Sequence, residues 1–352
     1  MCSVCLEKRW QNAFEKNCDG AAGGPDFIGQ RVLVSFGAEG SAGAFSTYEA
    51  EKKQMELEKR SREQPRFWTE YPVFAHALGT VQGRANTNSK DAFLESYQAG
   101  QRVFEVDLQL TSDGNLVARH DWEQISYYNL EQTYAGVMDH ETFLSTPICF
   151  YYTPLDIQGL MELLIQHPDV YLVTDSKDTD EQSVRAQLRG LAQAVEATGR
   201  PELWNRIIVQ IYHQEMYTWV KEETPVTNFI FTLYQIENPD YHQIGAFCQE
   251  RGIQVVTMAA ERLTKERSDI LHSYGCKVYL HTVNRLRQML ESNWGADGFY
   301  SDCVTPSQLE GVLAGTNQMY LSQWEGDQEE TAQPETADPI TGLPTTGVGL
   351  LP

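Results

Sequence analysis

Glu105 and Asp107 stand two residues apart in the stretch RVFEVDLQLTSDGNLVARHD, Arg102 to Asp121, which closes on His120-Asp121. Val103, Phe104, Val106, Leu108 and Leu110 make its first part an apolar strand. Alternation along a strand puts Glu105 and Asp107 on one side. Ser112-Asp113-Gly114-Asn115 is turn chemistry, and it sends the chain back through Leu116-Val117-Ala118 as a hairpin-like excursion. Two acids on one face of an apolar strand need a partner. An arginine or a set of backbone amides would make them a structural pair, whereas a divalent cation would use them as hard oxygen ligands. His120-Asp121 favours chemistry, because an imidazole titrates near neutral pH and can exchange protons with a substrate.

The surrounding elements must bring further polar groups to this pair. Tyr71-Pro-Val-Phe-Ala-His76 reads as a short strand ending in a histidine, and Asn88-Ser89 reads as the cap of a helix from Lys90 to Ala99. The same rhythm then repeats. Thr153-Pro154 opens a helix before the strand Val170 to Asp175. Asp180 opens another, with Val184, Leu188, Leu191 and Val195 at helical spacing, before Arg206 to Gln210. The next strand is Asn228 to Leu233. Asn238-Pro239 starts a helix stopped by Gly252, and Ile253 to Thr257 follows it. Thr264 starts one stopped by Gly275 before Lys277 to His281. Asn284 to Trp294 is helical, Ala296 to Tyr300 is the last strand, and Pro306 to Leu313 the last helix.

Strands beginning at 72, 102, 170, 206, 228, 253, 277 and 296 predict a (β/α)8 TIM barrel over residues 71–314, with a doubly wound open sheet as the alternative. The barrel is favoured by where the polar residues fall. His76, Glu105, Asp107, Asp175, Gln210 and His281 all lie at or near the C-terminal ends of strands, which in a barrel converge on one catalytic mouth. Residues 1–70 read as an N-terminal extension carrying a charged helix at Tyr48 to Gln64. Residues 315–352, free of Lys and Arg, read as a disordered acidic tail.

The net charge of −22 excludes the basic face that nucleic acid or an anionic membrane surface requires, and it means that an anionic substrate must be met by local cations. No stretch approaches the roughly 20 apolar residues of a membrane span. The seven cysteines are scattered without the spacing of a disulfide framework, and Cys2-x-x-Cys5 with Cys18 lacks a nearby histidine to complete a zinc site. Free thiols and the lack of an apolar leader favour the cytoplasm. Leu343-Pro-Thr-Thr-Gly347 has the form of a sortase signal and admits the cell envelope or secretion. His213 and His272 read as surface residues, and Trp122, Tyr127-Tyr128 and Tyr151-Tyr152 as core or as a cap over the mouth.

His76, Glu105-x-Asp107, Thr111-x-Asp113-Gly114, His120-Asp121 and Asp175-x-Lys177, in that order, resemble a divergent branch of the glycerophosphodiester phosphodiesterase family, within the phosphatidylinositol-phospholipase-C-like phosphodiesterase superfamily. The resemblance covers about residues 72 to 303. It implies that His76 and His120 are the acid and base, that Glu105, Asp107 and Asp175 hold one Mg²⁺ or Ca²⁺, and that Lys177 contacts the phosphate. The substrate it implies is a small-molecule or lipid-derived phosphodiester, a glycerophosphodiester or a (lyso)phospholipid. Attack by a hydroxyl of the substrate itself is the expected chemistry, giving a cyclic phosphate that is either released or hydrolysed. The alternative is a catalytically retired barrel that binds a phosphorylated ligand. The loop after His76 departs from the family: the usual His-Arg-Gly is His76-Ala77-Leu78-Gly79, with Arg84 as a candidate substitute for the arginine. Of the usual Glu-Asn-Thr only Asn88 is kept, and strand seven carries His281-Thr-Val-Asn284. Arg84, Asn88, Gln210, His281 and Asn284 are therefore the candidate substrate-binding residues beside Lys177.

Overall fold

The structure, a computed structural model, describes residues 66–122, 136–292 and 295–314. The proposed charged helix at 48–64, the acidic tail, the sortase-like pentapeptide, Tyr127-Tyr128 and Cys2, Cys5 and Cys18 lie outside the described residues. The remaining four cysteines, Cys149, Cys248, Cys276 and Cys303, form no disulfide. Among the described residues no helix is long and apolar enough to cross a membrane.

The described residues form nine strands: β1 Val73–Ala75, β2 Val103–Leu110, β3 Leu116–Ala118, β4 Tyr171–Ser176, β5 Ile207–Ile211, β6 Asn228–Thr232, β7 Val255–Ala259, β8 Lys277–His281 and β9 Gly298–Ser301. Eight of them run parallel, and the pairing of β1 with both β9 and β2 closes the sheet into a barrel. The exception, β3, is antiparallel to the upper half of β2, with Leu108 opposite Ala118 and Leu110 opposite Leu116. It fits there because β1 is only three residues long and reaches β2 only at Phe104, which leaves the edge above free. The open-sheet alternative is thereby excluded.

Helices fill the outside: α1 Lys90–Gln98, α2 His140–Ser145, α3 Ile157–Gln166, α4 Glu181–Ala197, α5 Gln214–Glu223, α6 Tyr241–Arg251, α7 Lys265–Ser273, α8 Leu286–Ser292 and α9 Pro306–Leu313. Their starts follow side-chain capping. Ser89, Asp156, Asp180, Asp240 and Thr264 each accept a first-turn backbone N–H, the exchange that satisfies donors a helix leaves unpaired. Two expected starts shift on this account: Asp156 rather than Thr153-Pro154 caps α3, and Asp240 rather than Asn238-Pro239 caps α6. The helix expected from Asn284, α8, begins at Leu286. The short helix α2 and the helix α5 are absent from the sequence reading. On α4, Val184, Leu188, Leu191 and Val195 are buried against the sheet, as their spacing requires.

The barrel interior is layered by the period of two. Val103, Val173, Ile208, Ile230, Val255 and Tyr279 form an apolar lower layer with Phe74 and Tyr300. Two residues further along their strands stand Glu105, Asp175, Gln210, Thr232, Thr257 and His281, so the same alternation that fills the bottom with hydrocarbon makes the top polar. Residues 66–70 close the bottom: Trp68 is fully buried, and its indole N–H donates to Asn228 Oδ1 at 3.2 Å.

Candidate active site

At the C-terminal ends of the strands lies a cavity of about 480 Å³, lined among others by His76, Glu105, His120, Asp175, Lys177, Gln210 and His281. Glu105 and Asp107, from adjacent inward positions of β2, meet Asp175 at the matching level of β4, where Asp107 is the register partner of Asp175. One oxygen from each of the three lies within 4.8 Å of the others. All three residues are buried.

The loops hold these carboxylates in place. Ala77 N–H donates to Glu105 Oε2 at 2.7 Å, from a loop in which Ala77 and Leu78 take left-handed φ values of 48° and 63°. Asn88, also left-handed, donates from Nδ2 to Asp107 Oδ2 at 2.7 Å and accepts the Asp107 N–H at 3.1 Å. Asp175 Oδ1 accepts from Gln210 Nε2 at 2.8 Å and from the Tyr212 hydroxyl at 2.6 Å. The ammonium of Lys177 lies 2.7 Å from Asp107 Oδ1 and 2.6 Å from Asp175 Oδ2.

This packing separates the proton affinities of neighbouring acids. Burial, then the charge of Asp107, raises Glu105 well above the ordinary carboxylate range. Burial opposes ionisation of Asp107 as well, but Lys177, His76 and His120 hold its carboxyl down at about 2. Burial would likewise strip the proton from Lys177, and Asp107, Asp175 and Glu105 more than reverse it, so the ammonium stays charged.

A divalent cation fits these donors. Oxygens sharing one ion at 2.0 to 2.6 Å lie no more than about 5 Å apart, and the observed spacing meets that condition. Glu105 Oε1 is buried with no hydrogen-bond partner among the described residues, a position that an ion would satisfy.

The two histidines follow different strands at the mouth, each with a carboxylate on Nδ1. His76 follows β1, and its Nδ1 is 2.8 Å from Asp302 Oδ1. Burial lowers its proton affinity, but the Asp302 hydrogen bond, with Glu105 and Asp107, raises it to about 9. His120 follows β3, and its Nδ1 is 2.6 Å from Asp121 Oδ2. The excursion is what returns His120 to the mouth, because Arg119 N–H donates to the carbonyl of Asp107 at 2.8 Å. Both rings line the cavity.

Other sequence candidates land elsewhere. Arg84 is exposed in the loop after β1, outside the cavity lining, and its side chain meets Cys149. Asn88 supports Asp107 from behind. Asn284 clamps Asp302, donating to its Oδ2 at 2.5 Å and accepting its N–H at 2.8 Å. Gln210 and His281 do line the cavity. The aromatic cap is not realised among the described residues: Tyr152 is buried against Val81 and Ile148, Tyr151 is exposed, and Trp122 packs on Phe143 and under Arg119. Asp302 and Tyr212 escaped the sequence reading. Both sit immediately past a strand, where the rule that singled out His76 applies equally.

A closed parallel barrel with three converging carboxylates, a charged lysine and two carboxylate-paired histidines at its mouth has the charge and proton-transfer groups for hydrolysis of an anionic ester. Its comparisons agree. The glycerophosphoryl diester phosphodiesterase family matches residues 79–305. The chain belongs to this family and with it to the phosphoric diester hydrolases. Solved structures share the fold at low identity. A protein of Silicibacter pomeroyi DSS-3, assigned as a glycerophosphoryl diester phosphodiesterase, is 17% identical with a TM-score of 0.57, covering 72% of this chain and 94% of its own. A glycerophosphodiester phosphodiesterase of Parabacteroides distasonis is 16% identical with a TM-score of 0.53, covering 72% and 98%. A phosphodiesterase of Oleispira antarctica, in complex with the product sn-glycerol-3-phosphate, is 16% identical with a TM-score of 0.55, covering 69% and 96%. No curated protein matches the chain significantly.

Proposed function

We propose that this chain cleaves a glycerophosphodiester or a lysophospholipid-like diester by acid–base catalysis between His76 and His120. The observation that supports the proposal is the pairing of each histidine with a carboxylate on Nδ1 while both residues line one cavity. The Asp302 contact favours a protonated His76, so His76 is the acid that delivers a proton to the leaving oxygen. His120 is the base that removes one from the attacking hydroxyl. That hydroxyl belongs to the substrate itself and closes a cyclic phosphate. Asp302 and Asp121 are positioning residues, acting through the rings they hold.

Mg²⁺ or Ca²⁺, held by Glu105, Asp107 and Asp175, neutralises charge on the phosphoryl oxygens when bound. Lys177 lines the cavity beside Asp107 and Asp175, and its role is to meet the same phosphate. The Oleispira relative holds sn-glycerol-3-phosphate as product, which makes a glycerophosphodiester the first substrate to try.

The test is incubation of purified protein with glycerophosphodiesters, lysophospholipids and bis(p-nitrophenyl) phosphate, with EDTA and then with Mg²⁺ or Ca²⁺ restored, following products by phosphorus NMR. The proposal expects release that stops with EDTA, returns with one of the ions, and passes through a five-membered cyclic phosphate when the substrate has a neighbouring hydroxyl. Activity indifferent to EDTA would remove the metal from the scheme. Direct formation of a monoester in labelled water, with label in the first product, would remove the cyclic step.

A further inference from the structure

The cavity is divided by charge. Its charged groups come from the β1 to β4 side: His76, Glu105, His120, Asp121, Asp175 and Lys177. The opposite wall, at the ends of β6 and β8, carries Thr232, Tyr234, Gln235, His281 and Thr282. Burial pushes His281 down to about 4, so this ring is neutral at physiological pH. Its Nε2 is buried and has no hydrogen-bond partner among the described residues, a cost that a ligand hydroxyl would remove. Tyr234 is 71% exposed with its ring centroid 5.9 Å from that of His281, so an exposed aromatic ring stands beside the imidazole.

The loop carrying Tyr234 and Gln235 is fixed from behind. The Arg262 guanidinium donates to the carbonyls of Leu233 at 2.5 Å and Glu237 at 3.0 Å, and also to that of Ile236. All of its charge is thereby turned to backbone, away from the cavity, whose lining it does not join.

We infer that this wall is the subsite for the alcohol half of the diester, and that it selects an uncharged polyol over an alcohol bearing an ammonium or a carboxylate. The inference rests on the phosphodiesterase reading and adds the substrate class to it. A polyol exchanges its water for the imidazole, amide and hydroxyl groups of the wall and lays its ring or chain on Tyr234. A quaternary ammonium needs several aromatic faces or an adjoining carboxylate to replace its hydration; the lining of this wall offers one exposed ring and no carboxylate, and Glu261, whose charge reaches His281, is exposed outside that lining. A carboxylate needs a cation, and the wall has none.

The experiment compares kcat/KM for glycerophosphoglycerol and glycerophosphoinositol with that for glycerophosphocholine and glycerophosphoserine, using the full chain with its activating cation. The expected result is a preference of roughly tenfold or more for the polyol diesters, as for a site whose polar groups are left unpaired by the wrong substrate. His281→Phe is expected to shrink that ratio, and His281→Gln, which keeps a hydrogen-bonding group, to retain more of it. A ratio is unaffected by partial loss of folded protein. Equal or reversed preference in the wild type, or an unchanged ratio in His281→Phe, overturns the inference. Cleavage of none of the four overturns the phosphodiesterase reading beneath it, so the two failures are distinguishable.

Discussion

Asp302 sets the proton affinity of His76 through a 2.8 Å contact, and the sign of its effect is fixed by chemistry: a carboxylate favours the imidazolium. The pair contributes its full stabilisation below the ordinary value of 6.5 and loses it as pH rises through about 9. Asp302→Asn should therefore move the alkaline limb of the pH–rate profile downward by on the order of one unit. A limb that stays in place would show that His76 is not the acid. Lys177 offers a second test at this scale, because its ammonium contacts the Asp107 and Asp175 oxygens that a divalent ion would use. Lys177→Met is expected to tighten cation binding in calorimetry by roughly tenfold, since a competing charge is removed, while hydrolysis falls. Weaker cation binding in that variant would contradict the shared oxygens.

The loop between β1 and α1 is the element on which the site most depends, since it carries His76, the Ala77 N–H that holds Glu105, and Asn88. It bends at Gly79, whose φ of +94° suits glycine and where an added Cβ would lie 2.0 Å from Ser96 Oγ. Gly79→Ala should cost about 2 to 3 kcal/mol in denaturant unfolding and lower activity with it. Unchanged stability would mean that the loop is not held as described. This element also shows where sequence reading stops. The strands, most caps and the inward facing of Glu105, Asp107 and Asp175 follow from local periodicity, and each was legible. Arg84 is close to His76 along the chain, yet the turn between Val81 and Arg84 carries it outward to Cys149. Asn88 resembles a ligand contact in one dimension, but its left-handed backbone turns it beneath Asp107. Asp302 reaches His76 from 226 residues away, a pairing that only closure of the barrel through β1 and β9 creates.

For the whole molecule, charge and topology act in opposite directions. A net charge of −22 repels a phosphodiester, while the closed barrel concentrates the positive and proton-bearing groups at one mouth. Added salt should then raise kcat/KM modestly between about 0.02 and 0.15 M by screening the long-range repulsion, with kcat little changed. A fall in kcat/KM would instead indicate that local attraction at the mouth governs encounter.

The central claim, that two carboxylate-held histidines share the proton transfers, is tested most directly by the turnover of His76→Ala, His120→Ala and the double variant on one glycerophosphodiester with saturating cation. The account predicts that each single variant loses about 10²- to 10⁴-fold in kcat and that the double variant loses much less than the product of the two, as for groups acting in one step. Near-wild-type turnover in either single variant would contradict it.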